Sequence, residues 1–120
     1  MRIFVDIDNT ICHCEDDSDY SKATPIISRI DRVNQLYERG HEIVYWTARG
    51  SGSGIIWFEI TRAQLVDWGC KFHELRMGKP VYDLFLDDKN LLSDTFFADG
   101  LNTCKKTKLL LSRHADFHID

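Results

Sequence analysis

The chain opens on an apolar, partly β-branched run, Ile3-Phe4-Val5, which is the pattern of a strand buried on both faces of a sheet. Asp6 and Asp8 follow at a spacing of two. At strand geometry both carboxylates project to the same side, at the carboxyl end of the strand. Like charges held that close are costly unless a cation or a substrate group compensates them. Residues 9–24 lose both periodicities and are rich in Asp and Ser, which predicts a long loop with at most a small turn or hairpin. Its position directly after the carboxylate pair suits a flap over a site. The cluster Glu15, Asp16, Asp17 and Asp19 reads as a solvated acidic face rather than a cation site.

Thr24-Pro25 supplies an N-cap followed by proline at a first helical position. Ile26, Ile30, Val33 and Tyr37 then recur at helical spacing, with Ile27 and Leu36 widening the stripe. Arg29, Asp31, Arg32, Glu38 and Arg39 are expected on the opposite, solvent-facing side, and Gly40 ends the helix predicted over 25–39. Ile43-Val44-Tyr45-Trp46 forms a second short strand pattern, ending in Thr47-Ala48-Arg49-Gly50 and a Ser/Gly loop. Strand, helix and strand in this order imply a right-handed crossover and a parallel pair. Loops after parallel strands share one edge, so Thr47 and Arg49 are expected beside Asp6 and Asp8.

A second helix is expected over 55–68, with Ile55, Phe58, Ala63, Leu65, Val66 and Trp68 as core positions and Gly69 as its stop. Residues 70–75 give a weaker third strand, and Met77-Gly78-Lys79-Pro80 interrupts the pattern. Leu84-Phe85-Leu86 predicts a fourth buried strand, again ending in a pair of aspartates, Asp87-Asp88, followed by a solvated Lys89. Residues 91–97 suit a turn and a minor edge strand. Residues 98–120, with Lys105, Lys106 and Lys108 ahead of three leucines, fit neither helix nor strand. This divides the chain into a core domain over 1–97 and a C-terminal tail over 98–120.

Composition narrows the function classes. At 120 residues and 43% hydrophobic the chain is expected to be one domain with a real core. A net charge of −4 counts against general nucleic-acid binding, which needs a basic face. No apolar run approaches the roughly 20 residues of a membrane span, and no signal-peptide layout precedes the first strand, so a cytoplasmic protein is expected. Cys12, Cys14, Cys70 and Cys104 lack the paired spacing of a closed zinc site and read as free thiols. His13, His41 and His73 have no convergent partners in the sequence and read as surface or packing residues. Trp46, Trp57 and Trp68 read as core or interface.

The strand ends deliver Asp6, Asp8, Thr47, Lys79, Asp87 and Asp88 toward one edge, a set suited to phosphoryl transfer. Carboxylates hold Mg²⁺, a hard cation that prefers oxygen ligands. A hydroxyl and an ammonium grip non-bridging phosphate oxygens and offset charge during in-line displacement. A carboxylate can also act as the nucleophile, giving an aspartyl-phosphate.

Asp6-Ile7-Asp8-Asn9-Thr10, Thr47 after the second strand, Lys79, and Asp87-Asp88 after an apolar run occur in the order of the four motifs of the haloacid dehalogenase superfamily. Residues 1–97 therefore resemble a phosphohydrolase of that superfamily. The resemblance implies an α/β fold, a three-layer doubly wound sandwich around a central, mainly parallel sheet. It implies Asp6 as nucleophile, Asp8 as general acid and then base, and Thr47 and Lys79 as catalytic phosphate-oxygen ligands. Arg49 joins them as a candidate substrate-binding residue, balanced against a simple ion pair. The resemblance also implies Mg²⁺ held by Asp6, by the Asp8 backbone carbonyl and by Asp87, with Asp88 bound directly or through water.

The two cap insertion points of the superfamily leave no room for a cap here, so a capless member is implied, with an open site or a neighbouring subunit covering it. The Trp-Thr-Ala-Arg, Trp-Gly-Cys and Gly-Lys-Pro-Val-Tyr-Asp segments look most like the small bacterial capsular polysaccharide biosynthesis phosphatases. The expected function is thus a Mg²⁺-dependent phosphatase acting on a sugar phosphate or a similar small phosphate ester. A nucleotide or polynucleotide-end phosphatase is the rival within enzymes. An idle phosphate-binding or assembly module is the rival outside them, and the undamaged motifs count against it.

Overall fold

The structure is a computed structural model of the chain, and it describes residues 1–99. Strand β1 spans Arg2–Val5. A two-residue strand β2 (Cys12–His13) and its antiparallel partner β3 (Thr24–Pro25) follow, enclosing a 3₁₀ turn at Tyr20–Lys22. Helix α1 (Ile27–Glu38) leads to β4 (Glu42–Trp46), then α2 (Phe58–Asp67), β5 (Glu74–Arg76) and a short α3 (Ser93–Phe97). Among the described residues the main sheet has the order β1-β4-β5, all parallel. Arg2 pairs with Glu42 and Val5 with Tyr45, while Val44 pairs with Glu74 and Trp46 with Arg76. This is the α/β crossover architecture expected from the strand–helix–strand order.

The core forms where the apolar patterns of β1, α1 and β4 meet. Val5, Ile7, Ile11, Ile30, Val33, Ile43, Tyr45 and Leu65 are buried together, with Leu36, Tyr37 and Trp68 packed at its margin. The small β2–β3 ladder sits in the loop where only a turn or hairpin was expected, and Ile26 N–H donates to Ile11 O to hold its base. Thr24-Pro25 therefore belongs to this ladder. The α1 N-cap is Ile26, which makes no side-chain capping bond, so the predicted Thr24 cap is not the one used.

Five further expectations change. Arg29 does not face solvent: it is 1% exposed, enclosed by partners from the far end of the described chain. Helix α2 starts at Phe58 rather than 55; its buried face is Thr61 and Leu65, while Phe58, Val66 and the preceding Ile55 are exposed. The third strand is shorter and later than 70–75, at Glu74–Arg76. Residues 84–86 form no strand, because among the described residues no neighbour pairs with them, and Leu84, Phe85 and Leu86 are all exposed. The Leu91–Phe97 stretch is helical at its end rather than an edge strand. Of the tail assigned to 98–120, residues 100–120 lie outside the described residues, as does Cys104. Within the described residues no helix is long and apolar enough to cross a membrane.

Candidate active site

The chain beyond β1 turns sharply. Thr10 N–H and Ile11 N–H both donate to Ile7 O, and Asn9 adopts a left-handed φ of 62°. Asn tolerates that conformation better than most residues, and its side-chain oxygen accepts from Cys14 N–H at 3.1 Å to fix it. The turn leaves Asp6 and Asp8 at the carboxyl edge of the sheet, as the spacing of two predicts.

Each carboxylate has its own cation. Asp6 Oδ1 lies 3.3 Å from Lys79 Nζ, and Asp6 Oδ2 accepts from the Thr10 hydroxyl at 2.9 Å. Burial pushes the Asp6 pKa up, with the Lys79 ammonium and the Thr10 bond pulling against it and Asp8 adding to the rise. The Asp6 side chain keeps 35% of its surface, so an incoming group can reach it. Burial works against the charge of Lys79, but the Asp6 carboxylate and the Tyr82 hydroxyl outweigh it and hold the ammonium above its ordinary pKa. Lys79 reaches the edge because its backbone N–H bonds Thr47 O, and its ammonium sits over the rings of Trp46 and Tyr82.

Asp8 is gripped at both oxygens by Arg49, with Nε at 2.9 Å and Nη2 at 2.8 Å. Such two-pronged pairs are strong and directional. Arg49 is 3% exposed and spends its remaining donor on α2, to Thr61 Oγ1 and Gln64 Oε1. Its guanidinium also faces the Tyr20 ring at 4.8 Å, and Gln64 donates to Tyr20 O. Burial alone would lower the Arg49 pKa; its bonds to Asp8 outweigh that and raise it. Arg49 thus ties Asp8, the second helix and the flap into one unit.

Thr47 is buried, and its Oγ1 accepts from Arg49 N–H, which sets the turn that delivers Arg49. Beyond it Gly50 has a φ of +81°, and a Cβ there would fall 2.1 Å from Ile55 O, so only glycine fits this loop. A hollow of about 210 Å³ lined by Arg49, Gly50, Trp57 and Gly78 adjoins the edge. A larger one of about 540 Å³ lies under the acidic flap, lined by His13, Cys14, Asp16 and Lys22.

The structure therefore brings Asp6, Asp8, Thr47, Arg49 and Lys79 together and leaves Asp87 and Asp88 out. The latter two are exposed, beyond the unpaired 84–86 run. Among the described residues no group of three or more His, Cys, Asp or Glu side chains is placed to hold a metal ion. His41 pairs with the chain's amino terminus, and His73 bonds Ile43 N–H and stacks on Tyr37, both packing roles.

Three residues that support the edge were not singled out from the sequence. Thr61 and Gln64, one helical step apart, are polar side chains turned toward the buried Arg49. Arg29 donates to Thr10 O at 3.2 Å and pairs with Asp94 and Asp99 at 2.9 Å each, so it braces the turn that carries the Asp6 partner Thr10. The polar pair at positions 61 and 64 was the available signal for the first two. Nothing local marked Arg29.

Fold and site together define an α/β protein with paired carboxylates, each matched to a cation, on the carboxyl edge of a parallel sheet. Among solved structures the chain is similar to a structural-genomics target from Vibrio cholerae, at 24% identity and a TM-score of 0.71, covering 94% of this chain and 98% of that one. That likeness is one of fold. No family model and no curated protein matches the chain.

Proposed function

We propose that this chain is a phosphomonoesterase, on a three-layer doubly wound core, that cleaves a small phosphate ester such as a sugar phosphate through a phosphorylated Asp6. The observation that carries the reading is the asymmetry of the two carboxylates. Asp6 is reachable and has an ammonium at 3.3 Å, whereas Asp8 is clamped by a buried guanidinium. A nucleophile must meet the phosphorus atom, and Lys79 beside it supplies charge where the phosphoryl oxygens would lie.

In this mechanism an Asp6 oxygen forms the new bond to phosphorus as the ester oxygen leaves in line. Once Arg49 lets go, Asp8 takes up a proton from solvent and gives it to that oxygen, then takes one from the water that cleaves the aspartyl-phosphate. A carboxylate with both oxygens accepting from Arg49 cannot present a proton until that pair opens. Arg49 is thus a positioning residue for Asp8, released toward the substrate phosphate. Thr47 keeps its hydroxyl proton as a donor, since its oxygen already accepts from Arg49 N–H.

Two carboxylates and two side-chain cations leave the edge near neutral, so a phosphate dianion would arrive with its charge unmatched. A bound Mg²⁺ would supply that charge, but the described residues of one chain do not assemble its site. The reading is tested with 4-nitrophenyl phosphate in the presence of Mg²⁺. Asp6→Asn should lower turnover by on the order of 10³-fold or more with an unchanged circular dichroism spectrum. A variant that keeps the wild-type rate would overturn the mechanism.

A further inference from the structure

We propose that two copies of this chain exchange the Leu84–Asp88 segment, so that Asp87 and Asp88 of the partner subunit complete the Asp6–Asp8 edge. The inference rests on the phosphatase reading only for what the completed edge does. Its geometric basis is separate.

Two unsatisfied features of one chain complement each other. Strand β1 has β4 on one side and, among the described residues, no strand on the other. Its Phe4 is 41% exposed, although the ring also meets Trp46 of β4 at 5.8 Å. Leu84, Phe85 and Leu86 are 45%, 41% and 86% exposed, a strand-forming run that pairs with no strand among the described residues and whose Phe85 ring meets only Tyr82 among the aromatic rings there, at 5.3 Å. Exposed apolar runs and open strand edges both invite pairing with another chain.

The chain cannot satisfy them within itself and also bring the acids to the site. Residue 79 lies at the carboxyl edge, where its ammonium meets Asp6, and the Tyr82 ring is 5.5 Å from that ammonium. A Cβ on Gly52, in the loop of the same edge, would lie 3.8 Å from Val81. For Asp87 to stand level with Asp6 in a strand parallel to β1, Leu84 must stand level with Ile3, about 10 Å below. From Tyr82 to Leu84 is two residues, about 7 Å at full stretch, with a reversal of direction to be made inside it. A run that leaves the carboxyl edge can only head down the sheet. Beside its own β1 it would be antiparallel and would carry Asp87 to the wrong end.

The same downward run is parallel to β1 of a copy related by a two-fold axis perpendicular to the sheet. There Leu84, Phe85 and Leu86 fall beside Ile3, Phe4 and Val5, and Asp87 falls beside Asp6. The contact is isologous and closes as a dimer, with both open edges filled. The edge that holds two carboxylates in one chain then holds four, the oxygen-rich environment that a hard divalent cation prefers. Ser93 lies six steps along the chain from Asp87, a reach of about 20 Å, enough for α3 to rest on Arg29 of either subunit.

The test has two arms that need no activity and one that does. Light scattering after gel filtration should give twice the 14.0 kDa chain mass at micromolar concentration, and a 14.0 kDa particle throughout overturns the proposal. Chains carrying Phe4→Cys and chains carrying Phe85→Cys, refolded together and oxidised, should form a covalent dimer that neither forms alone. Its absence, or ring closure within a chain carrying both, overturns the exchange.

Finally, Asp6→Asn chains refolded with Asp87→Asn/Asp88→Asn chains should regain about a quarter of the wild-type rate on 4-nitrophenyl phosphate. Half of the dimers are then mixed, and each mixed dimer has one intact site. Sites built within one chain would regain nothing. If the wild type itself shows no turnover, the phosphatase reading falls while the mass and cross-linking arms still judge the exchange.

Discussion

Residues 1–79 and residues 80–92 are built from similar ingredients and end up in opposite environments. Both contain a short apolar run followed by two aspartates: Ile3-Phe4-Val5 with Asp6 and Asp8, and Leu84-Phe85-Leu86 with Asp87 and Asp88. In the first, a parallel neighbour pairs the strand, and buried guanidinium and ammonium groups meet the acids. In the second, no strand among the described residues pairs the run, and every residue from 80 to 92 is exposed. A strand-like sequence becomes a strand only when its backbone groups find a ladder, and a carboxylate pair becomes a site only when the fold places its counter-charges. The difference between the regions lies in partners, not in local composition.

The comparison breaks most clearly where the first region depends on one buried charge. Arg29 is 1% exposed and serves Thr10 O, Asp94 and Asp99 at once. Removing a buried pairing partner costs about 3–5 kcal/mol, because the groups it served keep their desolvation without its compensation. Arg29→Ala should lower the free energy of urea unfolding by that much. Lys89→Ala, in the exposed segment, should change it by about 0.5 kcal/mol or less. Equal effects would mean that the segment is as integrated as the core.

This contrast also marks how far the sequence was legible. Alternation and helical spacing located β1, α1, β4 and the carboxylate edge, since each rests on a local periodicity that the tertiary structure keeps. Arg29 was assigned to a solvent face for the same local reason. Its partners lie 65 and 70 residues away, and spacing carries no trace of them. Arg49 was placed on the right edge, but its grip on Asp8 depends on α2 turning Thr61 and Gln64 inward, when Ile55, Phe58 and Val66 looked like the core face. The 84–86 run has the composition of a strand and still forms none, because propensity describes a residue's fit to a ladder, not whether the ladder exists.

A smaller, matched pair of truncations sharpens the point. Leu65 is 0% exposed and Leu86 is 86% exposed. Leu65→Ala should cost about 2–5 kcal/mol through lost burial and the cavity left behind. In protein dilute enough to be monomeric, Leu86→Ala should cost about 0.5 kcal/mol or less. Urea denaturation at two protein concentrations reads both. A Leu86→Ala penalty that appears only in the concentrated sample would place its side chain between subunits, while one that persists on dilution would place it in the fold of a single chain.

The gentlest probe leaves the fold untouched and asks what each region does to a thiol. Burial pushes the Cys70 pKa up to about 11, with the nearby Tyr45 hydroxyl pulling slightly the other way. The reactive species is the thiolate. At pH 8 an ordinary thiol with a pKa near 8.5 is about one-quarter ionised, whereas one at 11 is ionised about one part in a thousand. Cys70 should therefore alkylate with iodoacetamide roughly 10²-fold more slowly than a cysteine placed in the open segment by Leu86→Cys in dilute protein. Its rate should climb with pH until about 11, long after the introduced thiol has levelled off. Peptide-resolved mass spectrometry separates the two sites in one sample. Matching rates and matching pH profiles would show that residues 70 and 86 share one environment, and the contrast between the anchored edge and the open segment would fail at the level of single side chains.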